Sequence, residues 1–181
     1  MDIFSIPLKR IDGTPSSLAD YRGKVLLLVN VASKCGLTPQ YDGLEKLHET
    51  YSSKGFSVLA FPANEFAGQE PGTNAEIAEF CRSSYGIQFP VFERIVVKGA
   101  GQHALYAELT ASKPEATMKP GGTLMQRLAD RGMGPAKAGD IHWNFEKFLV
   151  GKDGRISARF APDIAPDDPM IIAAVEGELV K

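Results

Sequence analysis

An unbroken apolar run, Val25 to Val29, ends in a loop of small and polar residues that carries Cys35, and a helical pattern begins directly after it. Consecutive Val and Leu residues leave no polar face, so this run reads as a strand buried on both sides of a sheet. Thr38 is expected to cap the helix and Pro39 to occupy its first position, where a missing N–H costs nothing. Tyr41, Leu44, Leu47, His48 and Tyr51 then recur at the spacing of one helix face. Cys35 therefore falls at the carboxyl end of a strand, where open α/β sheets place their sites. Backbone N–H groups and the positive end of a helix favour thiolate over thiol there. A free cysteine is also a common small core residue. The polar company of Asn30, Ser33 and Lys34, with Gly36 alongside, favours the reactive reading.

The remaining pattern fills in a sheet flanked by helices. Phe4 to Lys9 with a turn at Asp12-Gly13 reads as an N-terminal hairpin, and Ser17 to Arg22 as a short turn or helix. Gly55 ends the first helix and FSVLAF follows as a second buried strand. After the polar loop PANEFAGQEPGTN, a helix is expected over Ala75 to Tyr85, with Asn74 as its cap and Gly86 past its end. Pro90 to Val97 reads as a strand, Ala104 to Ser112 as a helix, and Thr123 to Asp130 as a short helix. WNFEKFLV and GRISARF around GKDG form a hairpin, with Trp143 and Asn144 opening its first strand. The tail after Pro169 is helical. This order predicts an α/β fold with a central mixed β-sheet and an N-terminal hairpin, in one domain over residues 1–181. A redox cysteine at the first strand–helix junction makes that fold thioredoxin-like by analogy.

Composition narrows the function class. A net charge of −2, with scattered Lys and Arg, gives no nucleic-acid signal. The longest apolar runs are far short of a membrane span, and MDIFSIPLKRIDG lacks the pattern of a secretory signal, so a cytoplasmic location is expected. Two cysteines do not make a structural disulfide framework, and in a reducing compartment a transient catalytic pair is the better reading. CxxC is absent, which argues against a thioredoxin-type disulfide reductase. His48, His103 and His142 show no metal spacing.

Cys81, in AEIAEFCRSSYG, has two readings. It lies on the apolar side of its helix, as a packed core thiol would. It also suits a resolving thiol, provided part of the helix unwinds so that its Cα comes within about 7 Å of that of Cys35. Arg82, Ser83 and Ser84 suggest a weakly held helix end. Gln69, in the loop with Asn64, Glu65 and Glu70, carries both a donor and an acceptor suited to a thiolate or a peroxide oxygen. Trp143 adds an indole donor.

NVASKCG, FPANEFAGQEPG and WNFEKFLVGKDG resemble the three signature blocks of the glutathione peroxidase family, over nearly the whole chain. The likeness is greatest to its bacterial two-cysteine, thioredoxin-dependent type. It implies that Cys35 is the peroxidatic residue and that Gln69, Trp143 and Asn144 complete a catalytic tetrad. It further implies that Cys81 resolves a Cys35 sulfenic acid as a disulfide, and that thioredoxin resets the pair. Hydrogen peroxide and organic hydroperoxides would be the substrates, with no metal or organic cofactor. Two other outcomes follow from the same residues: direct reduction by glutathione with no role for Cys81, or a peroxide sensor that relays oxidation to a partner. The family block reads FPCNQF where this chain has Ala63 and Glu65, and a carboxylate reaching Cys35 would oppose its thiolate. In the family, a long insert before the WNF block accompanies oligomers. Residues Lys113 to Asp140 form such an insert, to be read as an interface, a lid over the site or a surface excursion.

Overall fold

Four strands make the central sheet in the computed structural model, which describes residues 1–181. The first hairpin, β1 (Leu8–Lys9) with β2 (Pro15–Ser16), stands apart from it and is shorter than expected. Phe4 is drawn into a 3-10 turn because the Asp2 side chain accepts from its N–H at 3.0 Å. β3 (Val25–Val31) extends the apolar run by two residues and pairs in parallel with β4 (Phe56–Pro62). On its other side β3 pairs antiparallel with β5 (Lys147–Val150), which pairs antiparallel with β6 (Ile156–Phe160). The spatial order β4-β3-β5-β6 makes the mixed sheet that the pattern predicts.

Two apolar layers explain why β3 is buried along its whole length. Leu26 and Leu28 face one layer, with Phe61, Phe148 and helices α3 (Ala104–Ser112) and α4 (Leu124–Asp130). Val25, Leu27, Val29 and Val31 face the other, with α1 (Gln40–Tyr51), α2 (Asn74–Tyr85) and α5 (Pro169–Leu179). Alternate side chains of one strand thus feed separate cores, as a period of two requires.

Several local expectations change. Thr38 does not cap α1. Its hydroxyl accepts from the Cys35 N–H at 3.0 Å and donates to the Ala32 carbonyl at 2.8 Å. Short-range bonds from Thr38 N to Cys35 O and from Tyr41 N to Thr38 O make a tight lead-in to the helix. Thr73, not Asn74, caps α2 by accepting from Glu76 N, and Asn74 Oδ1 instead accepts from Arg94 N. Pro90 to Val97 makes only single bridges, Val91 to Ala60 and Phe92 to Arg10, and forms no strand. Trp143 and Asn144 precede β5 rather than opening it, because Phe145 turns the chain with φ at 69°.

Lys147 is wholly buried on β5, its Nζ donating to the carbonyls of Phe145 at 2.7 Å and Pro162 at 3.0 Å. Burial pulls its ammonium down to about 7, against the opposing charges of Glu146 and Asp163. Between that value and the ordinary 10.5, the unfolded chain binds the extra proton and the native chain does not. Stability is therefore expected to rise with pH through that window. Urea midpoints measured from pH 7 upward should climb, and climb less steeply in Lys147→Met. Identical slopes in the two proteins would show that Lys147 is not the group responsible.

Candidate active site

Cys35 sits in the turn between β3 and α1, half-buried, with its Sγ accepting from the Leu37 N–H at 3.3 Å. A backbone amide aimed at sulfur supports a negative charge there. The turn is held from behind, through the Thr38 hydroxyl, and from the side, through the loop that follows β4. Lys34 N donates to the Gln69 carbonyl at 3.0 Å, and Ser33 N to Glu70 Oε1 at 3.2 Å. These bonds place Cys35 and Gln69 side by side although their strands only neighbour one another.

The third segment arrives ahead of β5. Asn30, on β3, donates from its side chain to the Trp143 carbonyl at 3.0 Å, and Phe145 N donates to the Asn30 carbonyl at 2.6 Å. The indole packs on Phe66 at 5.5 Å between ring centres. Cys35, Gln69 and Trp143 share the wall of one cavity of about 430 Å³. Asn144 does not line it. It is fully buried and donates through Nδ2 to Gln69 Oε1 at 2.8 Å. That bond orients the Gln69 amide and leaves its NH₂ group free to donate. Left-handed backbone at Ala67 (φ 57°) and Phe145 (φ 69°) flanks both members of the pair. Such conformations cost about 1–3 kcal/mol each, and they collect where a site must be held in one shape.

Cys81 is not brought to this cavity. It is 3% exposed in the opposite core layer, its thiol donating to Tyr41 Oη at 3.5 Å. Burial pushes the thiol up to about 11, and the nearby Glu70 charge adds to the rise. The helix end beyond it is firmly closed, contrary to the expectation from Arg82, Ser83 and Ser84. Gly86, in left-handed backbone, donates to the Arg82 carbonyl, and Ile87 N donates to that of Cys81. Both cysteines are free thiols.

Glu65 turns away from Cys35, accepting from Val97 N at 2.9 Å, and does not line the cavity. The carboxylate that meets the Cys35 loop is Glu70, whose burial raises its pKa from the ordinary glutamate value. Ala63 is enclosed in the core, where its small side chain fits. The histidines serve structure: His48 and His103 accept from backbone amides through Nδ1, and His142 pairs with Glu146.

Part of the cavity wall comes from the insert that the sequence left open as an interface, a lid over the site or a surface excursion. Leu124, Arg127, Leu128, Arg131 and Met133 line it, all within residues 113–140. Two pairs at i, i+4 spacing, Leu124 with Leu128 and Arg127 with Arg131, were the available signal for a two-sided helix. They carry no information about where that helix docks.

The glutathione peroxidase family model matches residues 3–110. A protein of Escherichia coli described as thioredoxin/glutathione peroxidase BtuE is 45% identical over 179 residues, covering 99% of this chain and 98% of that one. The hydroperoxy fatty acid reductase gpx1 of Synechocystis is 42% identical over 166 residues, covering 92% of this chain and 90% of its own. The crystal structure of T. cruzi GPX1 superposes with a TM-score of 0.72 at 29% identity, over 99% of this chain and 97% of that one. A thiol:disulfide interchange protein of Chlorobium tepidum, at 17% identity and a TM-score of 0.59 over 96% of this chain and 92% of its own, shares the thioredoxin-like fold. With its signature blocks gathered around one cysteine and a relative matching end to end, the chain belongs to the glutathione peroxidase family.

Proposed function

We propose that the protein is a thiol peroxidase in which Cys35 reduces hydrogen peroxide and organic hydroperoxides. The observation that carries this is the half-exposed Cys35 sulfur, supported by the Leu37 amide, in a cavity it shares with Gln69 and Trp143. The Cys35 thiolate attacks one peroxide oxygen and forms an S–O bond as the O–O bond breaks. The departing oxygen takes a proton and leaves as water or an alcohol, and Cys35 becomes a sulfenic acid. Gln69 and the Trp143 indole donate to the reacting oxygens, and Asn144 acts through Gln69 as a positioning residue. The Cys81 thiol then condenses with the sulfenic acid, releasing water and forming a disulfide. A thioredoxin dithiol reduces that disulfide and is itself oxidised. One domain carries the whole cycle, and a reducing, cytoplasmic setting keeps both thiols available. No helix is long and apolar enough to cross a membrane.

The buried position of Cys81 on a closed helix favours a second reading, in which glutathione attacks the Cys35 sulfenic acid directly. The test is NADPH-coupled turnover of hydrogen peroxide with thioredoxin and its reductase, or with glutathione and its reductase. It is paired with capture of the sulfenic acid by dimedone. Turnover and a dimedone adduct on Cys35 are expected, both removed by prior alkylation of Cys35. Turnover that survives alkylation would remove Cys35 from the mechanism.

A further inference from the structure

A second cavity, of about 350 Å³, shares no residue with the one around Cys35. The start of the Cys35 turn, Ser33 and Lys34, faces α2 across it, where Glu76, Ile77 and Phe80 form the opposite wall. Glu70 lines the same cavity and is 1% exposed. Its Oε1 accepts from Ser33 N at 3.2 Å, while its Oε2 has no hydrogen-bond partner. A buried carboxylate oxygen without a donor is costly and rare in native proteins.

Glu70 is fixed to the Cys35 side of this cavity and not to α2. Besides the Ser33 bond, its N–H donates to Asn64 Oδ1 at 2.9 Å, and Arg94 Nη1 donates to its carbonyl at 2.9 Å. The helix is held more lightly, burying only Ile77 and Cys81 among its twelve residues. It can loosen while Glu70 keeps its place. Burial raises the Cys81 thiol and the Tyr41 phenol, and the Glu70 charge adds to the rise in each. Burial also raises Glu70 itself, against the Ser33 donors and the Arg94 charge. Lys34 and Glu76 are the other ionisable groups on the cavity wall.

We propose that Glu70 is the base that takes the Cys81 proton when the two cysteines join. A thiol released from the core titrates at about 8.5, so at neutral pH it arrives mostly protonated. To reach Cys35 it crosses the cavity that Glu70 lines, and there it meets the unpaired Oε2. Oε2 takes the proton as the Cys81 sulfur attacks the Cys35 sulfur. The S–S bond forms and the S–O bond of the sulfenic acid breaks. The departing hydroxyl takes the proton from Glu70 and leaves as water, which restores the carboxylate. Cys35 sulfur is reduced and Cys81 sulfur is oxidised, so the step needs no outside reductant. The assignment rests on the two-cysteine cycle, and its test separates the two.

The experiment follows a single turnover. Reduced wild type and Glu70→Gln are mixed with one equivalent of hydrogen peroxide and quenched at intervals. Dimedone capture counts the Cys35 sulfenic acid, and mass spectrometry after alkylation counts the Cys35–Cys81 disulfide. Glutamine keeps an oxygen for Ser33 N, so Cys35 should oxidise at the wild-type rate in the variant, which also reports an intact fold. Disulfide formation should slow about a hundredfold, the scale of losing one general base, and sulfenic acid should accumulate. With a base supplied, the wild-type disulfide step should depend little on pH above the Glu70 titration. In Glu70→Gln it should climb with pH as the free thiol ionises. Disulfide formation at the wild-type rate in the variant would overturn the proposal. So would a wild-type step that follows thiol ionisation alone, a measurement that needs no variant. Equal slowing of both steps would make Glu70 a support of the Cys35 turn and not a base. Wild type that forms sulfenic acid but no disulfide would bring down the two-cysteine cycle, and this assignment with it.

Discussion

Replacing Cys81 by serine is expected to lower thioredoxin-coupled peroxide turnover roughly a hundredfold or more, the scale of losing a chemical group from a cycle. Turnover coupled to glutathione should persist. Serine fills nearly the same space and can donate to Tyr41 Oη as the thiol does, so the native fold is retained. The loss would therefore report chemistry and not misfolding. To form the proposed disulfide, the thiol would have to leave a core position where it is 3% exposed and its pKa is pushed up to about 11. Leaving that position breaks the Tyr41 contact and the Gly86 and Ile87 bonds that close α2. Exposure also removes the burial that disfavours its thiolate, so unwinding and activation are one event. Amide exchange gives an independent check: α2 should lose protection when the protein is oxidised and regain it on reduction. If both proteins turn over equally with thioredoxin and α2 stays protected, Cys81 is a core residue and oxidised Cys35 is reduced without it.

Arg159→Met should cost about 3–5 kcal/mol of stability, the usual consequence of removing one partner from a buried ion pair. Arg159 is 1% exposed and makes five hydrogen bonds, one to Glu146 and four to carbonyls at the two ends of the 113–140 insert. Methionine fills the volume along the Phe148 ring, where the guanidinium now lies 5.1 Å from the centroid, but it donates nothing. Glu146 would then be left buried with only the His142 N–H and ring as partners. Lysine should not rescue the loss, since one ammonium cannot span carbonyls that a planar fork reaches together. Urea denaturation measures the cost. Hydrogen exchange should place the local effect in residues 113–140, with the β3–β4 pairing retained. A midpoint within about 1 kcal/mol of wild type, at the low end of hydrogen-bond contributions, would mean that other contacts hold the insert.

The site was legible where residues close in sequence build it. Cys35 follows a strand and precedes a helix, and that placement is written in Val25 to Tyr51 alone. Gln69, Trp143 and Asn144 were legible through their signature blocks, and the structure brings Gln69 and Trp143 to the same cavity as Cys35. Asn144 was expected at the site through its block; the structure keeps it off the cavity wall, bonded to Gln69 between two loops that are far apart in the chain. Glu65 shows the opposite case. Its position in the block suggested a charge near Cys35, yet Val97 N holds its carboxylate elsewhere, and Glu70 meets the loop instead. Neighbouring positions in a loop can point in opposite directions, and no periodicity decides between them.

Hydrophobic period and local turn chemistry determined the elements: a doubly buried β3, the 104–112 helix to its end residues, and the hairpin around GKDG. Those features depend on residues within a turn or a strand of one another, so the chain states them directly. Only the tertiary structure decided that residues 113–140 return to wall the Cys35 cavity, that Lys147 is buried, and that Cys81 lies in the other core layer. Each depends on partners far apart in the chain, such as Arg159 with Lys113 or Tyr41 with Cys81, whose meeting is set by how the layers pack.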